Sequence, residues 1–242
     1  MGWMRGTGAK WAVAAALLGG SVVSTAALAE QSAGPGDRRE TPVSVTRMVD
    51  FRGESASEEA RAVAQWSLAS GDTRGRPFAV VDKKDARLFV FTAGGRLLGA
   101  TPALLGLARG DDSAPGVGQK VSTGIPRQER TTPAGRFESA PGRNLSGEAI
   151  VWIDYEAAVA IHRMRPAAAA ERRPQRLATD SPVDNRISLG CVVVDEDFYL
   201  KVVAPTLGRQ RGVVYVLPET RDWRAQFGIG NLANGSAGAE AL

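Results

Sequence analysis

From Pro77 to Leu217 the chain is a series of short apolar runs rich in Val, Ile and Phe, separated by turn residues. Runs of this length cannot make amphipathic helices of ordinary size, and their β-branched and aromatic content favours strands. Phe78–Asp82 is one expected strand and Arg87–Thr92 the next, with Lys83–Ala86 as the turn between them. Gly94-Gly95 turns the chain into Leu97–Thr101, and the three runs read as a β-meander with one face on a core. Thr132-Pro-Ala-Gly-Arg-Phe137 reads as a turn with a strand behind it. Ala149–Asp154 and Ala157–His162 are strands across a tight turn near Tyr155-Glu156. Gly212–Leu217 is the last strand. The expected fold class is therefore mainly β with a few short helices.

One of those helices precedes the strands. Ser55-Ala-Ser-Glu58 resembles a capping box, Ala60, Val63, Ala64 and Trp66 follow at helical spacing, and Gly71 stops the run. This helix is expected to pack on the main domain, with Trp66 as part of that packing. A second helix is expected after the run Ile187–Val194. Asp195 is a good N-cap, Phe198, Tyr199, Val202 and Val203 form its apolar side, and Pro205 stops it. Residues 107–130 are polar, glycine-rich and without periodicity, and read as a long surface loop. Residues 163–185 are a basic excursion with a helical turn expected at Ala167–Arg172. After Gly228 the chain has lost its periodicity and reads as a frayed tail.

The first residues read as an export signal. Arg5 and Lys10 precede an apolar stretch from Trp11 to Val23, and Ala27-Leu28-Ala29 supplies small residues for cleavage before Glu30. An uncleaved membrane anchor is the alternative. The stretch is barely long enough for one, and Gly, Ser and Thr dilute it. The expected organisation is a signal peptide at 1–29, a linker and short helix at 30–76, a catalytic domain at 77–218 and a tail at 219–242. The expected address is the periplasm or cell envelope. The formal net charge is +4, and two of those charges lie in the signal. Basic residues are otherwise scattered, without interleaved aromatics, so no nucleic-acid partner is expected. No later stretch is long and apolar enough to cross a membrane.

The chain has one cysteine and one histidine, Cys191 and His162. An exported chain with a single cysteine forms no internal disulfide, so its thiol is free or links to another molecule. A free thiol is an oxidation hazard outside the cell, which favours a thiol with a job over a buried cysteine that merely fills space. A thiol needs a base near neutral pH, and His162 is the only imidazole available. Gly190 before the cysteine lets the backbone approach a substrate, and nearby N–H groups suit an oxyanion hole. The imidazole needs a third group to orient it, and a backbone carbonyl suffices. By spacing alone, 29 positions apart, the signal is weak, and two unrelated residues are the better reading. One histidine and one cysteine make no metal-ligand cluster, and no metal or organic cofactor is expected.

Four stretches carry a resemblance: Phe78-Ala-Val-Val-Asp-Lys-Lys, Thr132-Pro-Ala-Gly-Arg-Phe, Ala160-Ile-His162 and Arg186-Ile-Ser188-Leu-Gly190-Cys191-Val. Together they resemble the L,D-transpeptidase (YkuD-type) catalytic domain, over about 140 residues, the length of one domain. The resemblance implies a β-sandwich or barrel. It implies Cys191 as nucleophile, His162 as base, and Ser188 and Gly190 as the small residues of the nucleophile loop. It implies attack on the third residue of a peptidoglycan tetrapeptide stem, loss of the terminal D-alanine, and transfer of the acyl group to an amine of another stem or an envelope protein. Water as acceptor would make it an L,D-carboxypeptidase. Arg136 and Arg186 are candidates for holding substrate carboxylates, by charge and closeness to the motifs. Asp184 and Asn185 read as turn formers, and Trp152 and Tyr155 as core packing. Three features depart from the family pattern. Leu189 stands where the motif has His, Val193 stands where it has Asn or Arg, and the spacer after His162 is long.

Two other readings remain open. Sortases also order His before Cys on an all-β fold with a later Arg, for which Arg209 or Arg211 is available. A domain with Leu189 and Val193 can also keep the fold and only bind peptidoglycan.

Overall fold

A computed structural model describes residues 47–230. The expected signal segment, most of the linker and residues 231–242 lie outside the described residues. The strands are β1 (Phe78–Asp82), β2 (Arg87–Phe91), β3 (Leu97–Pro102), β4 (Leu105–Gly106), β5 (Gly135–Arg143), β6 (Ala149–Asp154), β7 (Val159–Arg163), β8 (Arg186–Ser188), β9 (Val192–Val194) and β10 (Gly212–Val216). Eight of them form one sheet in the order β3-β2-β1-β10-β5-β6-β7-β9, and β4 and β8 pair separately. Two antiparallel meanders, β1-β2-β3 and β5-β6-β7, are joined through β10, which runs parallel to β1 and antiparallel to β5.

The sheet curls almost shut. Residues from both of its ends, Leu98 of β3 and Val192 of β9, pack in one inner core. Past the end of β3, Leu104 forms an antiparallel bridge with Val193 of β9 through two backbone hydrogen bonds, of 2.7 and 2.9 Å. That bridge covers the β9 edge, which would otherwise present unpaired backbone groups. The expected mainly β fold, of sandwich or barrel type with a few short helices, is what the chain adopts.

β1 and β10 are buried along their whole length. They lie in the middle of the sheet and both their faces are covered, which explains their unbroken apolar runs. Ala79, Val81, Val214 and Val216 point inward, while Phe78, Val80, Val213 and Tyr215 join a second core on the outer face. The meander therefore has two buried faces, not one. The outer core is roofed by α1 (Glu58–Ala69), through Ala60, Val63 and Ala64. Ser57 caps this helix, accepting the Ala60 N–H at 3.0 Å, two residues after the start of the expected capping box. Trp66 packs edge-on to Tyr215 with ring centroids 6.2 Å apart. The outer core continues into α5 (Trp223–Phe227), where Trp223 and the following Ile229 are buried. Residues 219–230, expected to be tail, are thus part of the packed structure.

The inner core is closed by a helix in three parts: α3 (Glu196–Phe198), a π-turn (Tyr199–Val203) and α4 (Ala204–Thr206). Asp195 caps it as expected, accepting the N–H groups of Asp197 and Phe198. Tyr199, Val203 and Leu207 point into the core. Pro205 does not stop the helix, which runs to Thr206. A proline ring clashes with the carbonyl four residues back, and the wider π-turn just before it makes room. The loop 107–130 is not wholly on the surface, since Asp111, Val117 and Ile125 are buried. In the excursion, the expected helical turn at Ala167–Arg172 gives way to a 3-10 turn at Ala169–Glu171 and α2 (Arg173–Leu177).

Candidate functional site

β7 and β9 run parallel, with Ile161 opposite Val192 and His162 opposite Val193. Side chains alternate along each strand. Ile161, Val192 and Val194 point into the inner core, so His162 and Cys191 both point outward. Cys191 stands one step before Val192, across from Ala160 and two residues short of His162. The thiol and imidazole are thus diagonal neighbours on one face, with Cα atoms about 7–8 Å apart for such a pair.

The run Ile187–Val194 is split into β8 and β9 by a tight turn through Leu189 and Gly190. The Ser188 hydroxyl closes it, donating to the Cys191 carbonyl at 2.6 Å and accepting the Gly190 N–H at 3.1 Å. Gly190 has φ +136°, and a Cβ there would lie 2.9 Å from the Thr131 carbonyl oxygen. Only glycine fits both constraints. The Gly190 N–H is taken by Ser188, so it is not free for an oxyanion hole. A second hydroxyl fixes the turn from outside. Thr132 Oγ1 donates to the Gly190 carbonyl at 2.8 Å and accepts the Gly106 N–H at 2.9 Å.

The imidazole is oriented by its own strand. His162 Nδ1 lies 2.8 Å from the Arg163 carbonyl oxygen. A carbonyl only accepts, so Nδ1 carries the proton and Nε2 is left as a base. Burial lowers the His162 pKa. The Arg163 carbonyl opposes that shift, and the nearby Arg165 and Arg173 charges add to it. Burial raises the Cys191 pKa, against a backbone hydrogen bond from Ala160 and the Arg165 charge. The resting pair is therefore a neutral thiol and a neutral imidazole. The thiol donates to the Ala158 carbonyl at 3.6 Å, and among the described residues it makes no hydrogen bond to His162.

The two arginines expected to hold substrate carboxylates already have partners. Arg186 is buried. Its Nη2 donates to Glu219 Oε2 at 2.5 Å and to the Lys83 carbonyl at 2.8 Å, and its Nη1 to Glu219 Oε1 at 3.2 Å. Arg136 is paired with Asp72 at 2.6 Å and Glu138 at 2.9 Å, on β5 beside Tyr215. β6 lies between that strand and β7, so Arg136 is not brought to the thiol. Arg209 and Arg211 are exposed just before β10, with β5 and β6 between that strand and β7. Tyr155, expected in the core, is 75% exposed, with Trp152 edge-on to it. Asn185 is in a turn as expected, and it is buried, donating to the Ala103 carbonyl at 3.2 Å.

Behind the Cys191 turn lies a buried group of four charges that sequence reasoning missed. Lys83 Nζ donates to Asp111 Oδ1 at 2.8 Å, to the Gly110 carbonyl at 2.6 Å and to the Thr132 carbonyl at 2.9 Å. Asp111 also accepts the N–H groups of Glu219, Thr220 and Arg221. Burial alone would raise the Asp111 carboxyl. The bonds from Lys83, Thr220 and the backbone outweigh it and hold the group far below the usual carboxylate range. With Arg186 and Glu219 the set is neutral overall. Its link to the site is Thr132, whose carbonyl holds Lys83 and whose hydroxyl holds Gly190. Thr132 and Lys83 stand in two of the motif stretches, which was the available signal. Among the described residues no three His, Cys, Asp or Glu side chains gather as a metal-ligand set, and no helix is long and apolar enough to cross a membrane.

No protein-family model matches the chain, and no curated protein matches it. Among solved structures it is similar to the helical cell shape determining protein Pgp2 from Campylobacter jejuni, with 16% identity and a TM-score of 0.40 over 60% of this chain and 49% of that one. It is similar to an L,D-transpeptidase from Xylanimonas cellulosilytica, with 15% identity and a TM-score of 0.35 over 58% of this chain and 60% of that one. It is also similar to an L,D-transpeptidase from Mycobacterium smegmatis, with 17% identity and a TM-score of 0.32 over 58% of each chain. The matches span about half of the first of these chains and under two thirds of the others.

Proposed function

We propose that the protein is an exported peptidoglycan L,D-transpeptidase that works by cysteine acyl transfer in the cell envelope. The observation that carries this reading is the outward-facing pair on adjacent strands, Cys191 and His162, with His162 Nδ1 tied to the Arg163 carbonyl. That tie leaves Nε2 as the base. Lowering of the imidazole pKa keeps it unprotonated at neutral pH and ready to accept the thiol proton.

In the proposed reaction, Cys191 Sγ attacks the carbonyl of the third stem residue as its proton passes to His162 Nε2. The C–N bond to the terminal D-alanine breaks, and the Nε2 proton goes to the leaving amine. A thioester remains. An acceptor amine, from another stem or an envelope protein, attacks it and gives a proton to Nε2. The C–S bond breaks and the proton returns to sulfur. With water as acceptor the product is that of a carboxypeptidase. The Cys191 N–H is the backbone donor of the turn left to steady the oxyanion, since the Gly190 N–H is engaged.

One observation favours a second reading, a domain that binds peptidoglycan without reacting. The thiol is raised by burial and bonded to a carbonyl. The intact mass of the protein after incubation with a disaccharide-tetrapeptide decides between them. An adduct equal to the donor minus D-alanine, absent from Cys191→Ala, is the expected outcome. No adduct from protein with a confirmed free thiol leaves the binding reading.

A further inference from the structure

The excursion after His162, with Glu196, lines an open pocket of about 450 Å³. Its lining includes Met164, Arg165, Ala168, Arg172, Arg173 and Glu196. The β7–β9 ladder continues past the last paired strand residue, because the Met164 N–H donates to the Val194 carbonyl at 2.7 Å. Met164 is therefore on the same face of the ladder as His162, two residues further on. Along the ladder, His162 lies between the level of Cys191 and Met164.

The cavity carries an excess of positive charge. Three arginines line it against one carboxylate, Glu196, and Glu196 is already paired with Arg163 from outside the lining. Glu148 serves two arginines at once, Arg163 at 3.1 Å and Arg165 at 2.9 Å. Arg173 is paired with Glu171. Arg172 is exposed, and among the described residues no carboxylate lies within salt-bridge distance of it. A pocket whose arginines outnumber its carboxylates, with Arg172 lacking a carboxylate partner among the described residues, suits an incoming carboxylate, which arginine binds through two parallel N–H donors.

Distance restricts which carboxylate. Cys191 is level with Ala160 and the cavity begins at Met164, four residues along the strand, or about 13 Å at the usual rise. One extended residue spans about 3.6 Å at most. The terminal carboxylate, one residue past the scissile bond, therefore does not span to the Met164 end of the pocket.

We propose that the arginine-lined cavity at the end of β7 binds a carboxylate of the peptide substrate that is set back from the scissile bond. The proposal rests on the acyl-transfer reading of the site. It gives the long spacer after His162 a task, and it supplies cations to a site whose two expected arginines, Arg136 and Arg186, are engaged elsewhere.

The test uses the full chain carrying Cys191→Ala, so that nothing turns over. Binding is read from the ring signals of His162, the only histidine. The probes are the disaccharide-tetrapeptide with free carboxylates and versions amidated at one carboxylate at a time. Amidation at one set-back carboxylate should weaken binding tenfold or more, whereas amidation of the terminal D-alanine should not produce this loss. In Arg172→Gln and in Arg173→Gln, checked for unchanged thermal unfolding, the discrimination should shrink several-fold. Equal binding of all probes, discrimination untouched by both arginine variants, or no binding of any probe overturns the proposal. The acyl-transfer reading is tested separately by intact mass of the unmodified chain. A thioester formed equally from free and amidated donors keeps that reading and removes the cavity's role. Carboxylate-dependent binding without a thioester does the reverse.

Discussion

At the scale of single residues, the turn before Cys191 is held by contacts that tolerate little change. Gly190→Ala places a methyl group 2.9 Å from a backbone oxygen, at a φ that side chains rarely adopt. Strain of that kind costs about 1–3 kcal/mol, and the turn must shift to relieve it. The expected outcome is a lower denaturation midpoint together with loss of thioester formation. Thr132→Val leaves the buried Gly190 carbonyl and the Gly106 N–H without the hydroxyl they share. An unsatisfied buried group costs about 1–3 kcal/mol, and Thr132→Ser should recover most of the loss. The thiol gives a third readout. Because burial raises it, alkylation of Cys191 should be slow near neutral pH and keep climbing above the ordinary thiol range. A reactivity plateau below pH 7 would instead mean a resting thiolate–imidazolium pair, and would contradict the neutral pair inferred from the site.

At the scale of elements, the two motif departures are not equivalent. Leu189 is at the tip of the β8–β9 turn and 44% exposed, whereas Val193 is 1% exposed and bridged on both sides of its backbone to Leu104. Leu189→His should change stability by no more than about 0.5 kcal/mol, as surface substitutions do. Val193→Arg places a charge at a fully buried side chain, and should destabilise by about 3 kcal/mol or more. Chemical denaturation of the two variants checks the contrast, and equal losses would refute it. The same elements show what a sequence reveals. Strands β1, β2, β6 and β10 were legible because apolar runs bounded by turn residues mean the same thing wherever they occur. The closing bridge at Leu104 was not, because it is a backbone contact whose partner lies 89 positions away. Nor was the burial of Val193, since a valine looks alike on either face of a strand. The pairing of His162 with Cys191 needed the resemblance, because spacing alone does not reveal that β7 and β9 are neighbours.

At the scale of the whole molecule, the charges of Lys83, Asp111, Arg186 and Glu219 tie together four distant parts of the chain. They join the β1–β2 turn, the 107–130 loop, the start of β8 and the segment after β10. Each looks like a surface residue in the sequence, and Asp111 sits in a stretch with no periodicity, so only the fold reveals the set. Its role can be separated from that of the site by a double-mutant cycle. Lys83→Met leaves Asp111 buried without its cation, and Asp111→Asn takes from Lys83 its hydrogen-bonded anion and leaves only Glu219 at 3.7 Å. Removing one partner of a buried pair costs about 3–5 kcal/mol. The double variant leaves no uncompensated charge between the two positions, so its loss should fall well short of the sum of the singles. Additive losses would mean that the two residues do not act together.

Acid provides an independent check with a fixed sign. The Asp111 carboxyl is held low in the folded chain and titrates near 3.9 in the unfolded one. Its stabilisation is therefore present above that value and is lost as pH falls through it towards the folded pKa. His162 is lowered too, so below about pH 6.5 the unfolded chain takes up a proton that the folded chain refuses. Stability should thus decline in two steps on acidification. Asp111→Asn should flatten the lower step only, and His162→Gln the upper step only. A denaturant midpoint measured from pH 8 to pH 2 for the three chains reads the upper step and the onset of the lower one. If one substitution removed both, the buried charges and the thiol–imidazole pair would be a single titrating unit, contrary to the separation between them in the fold.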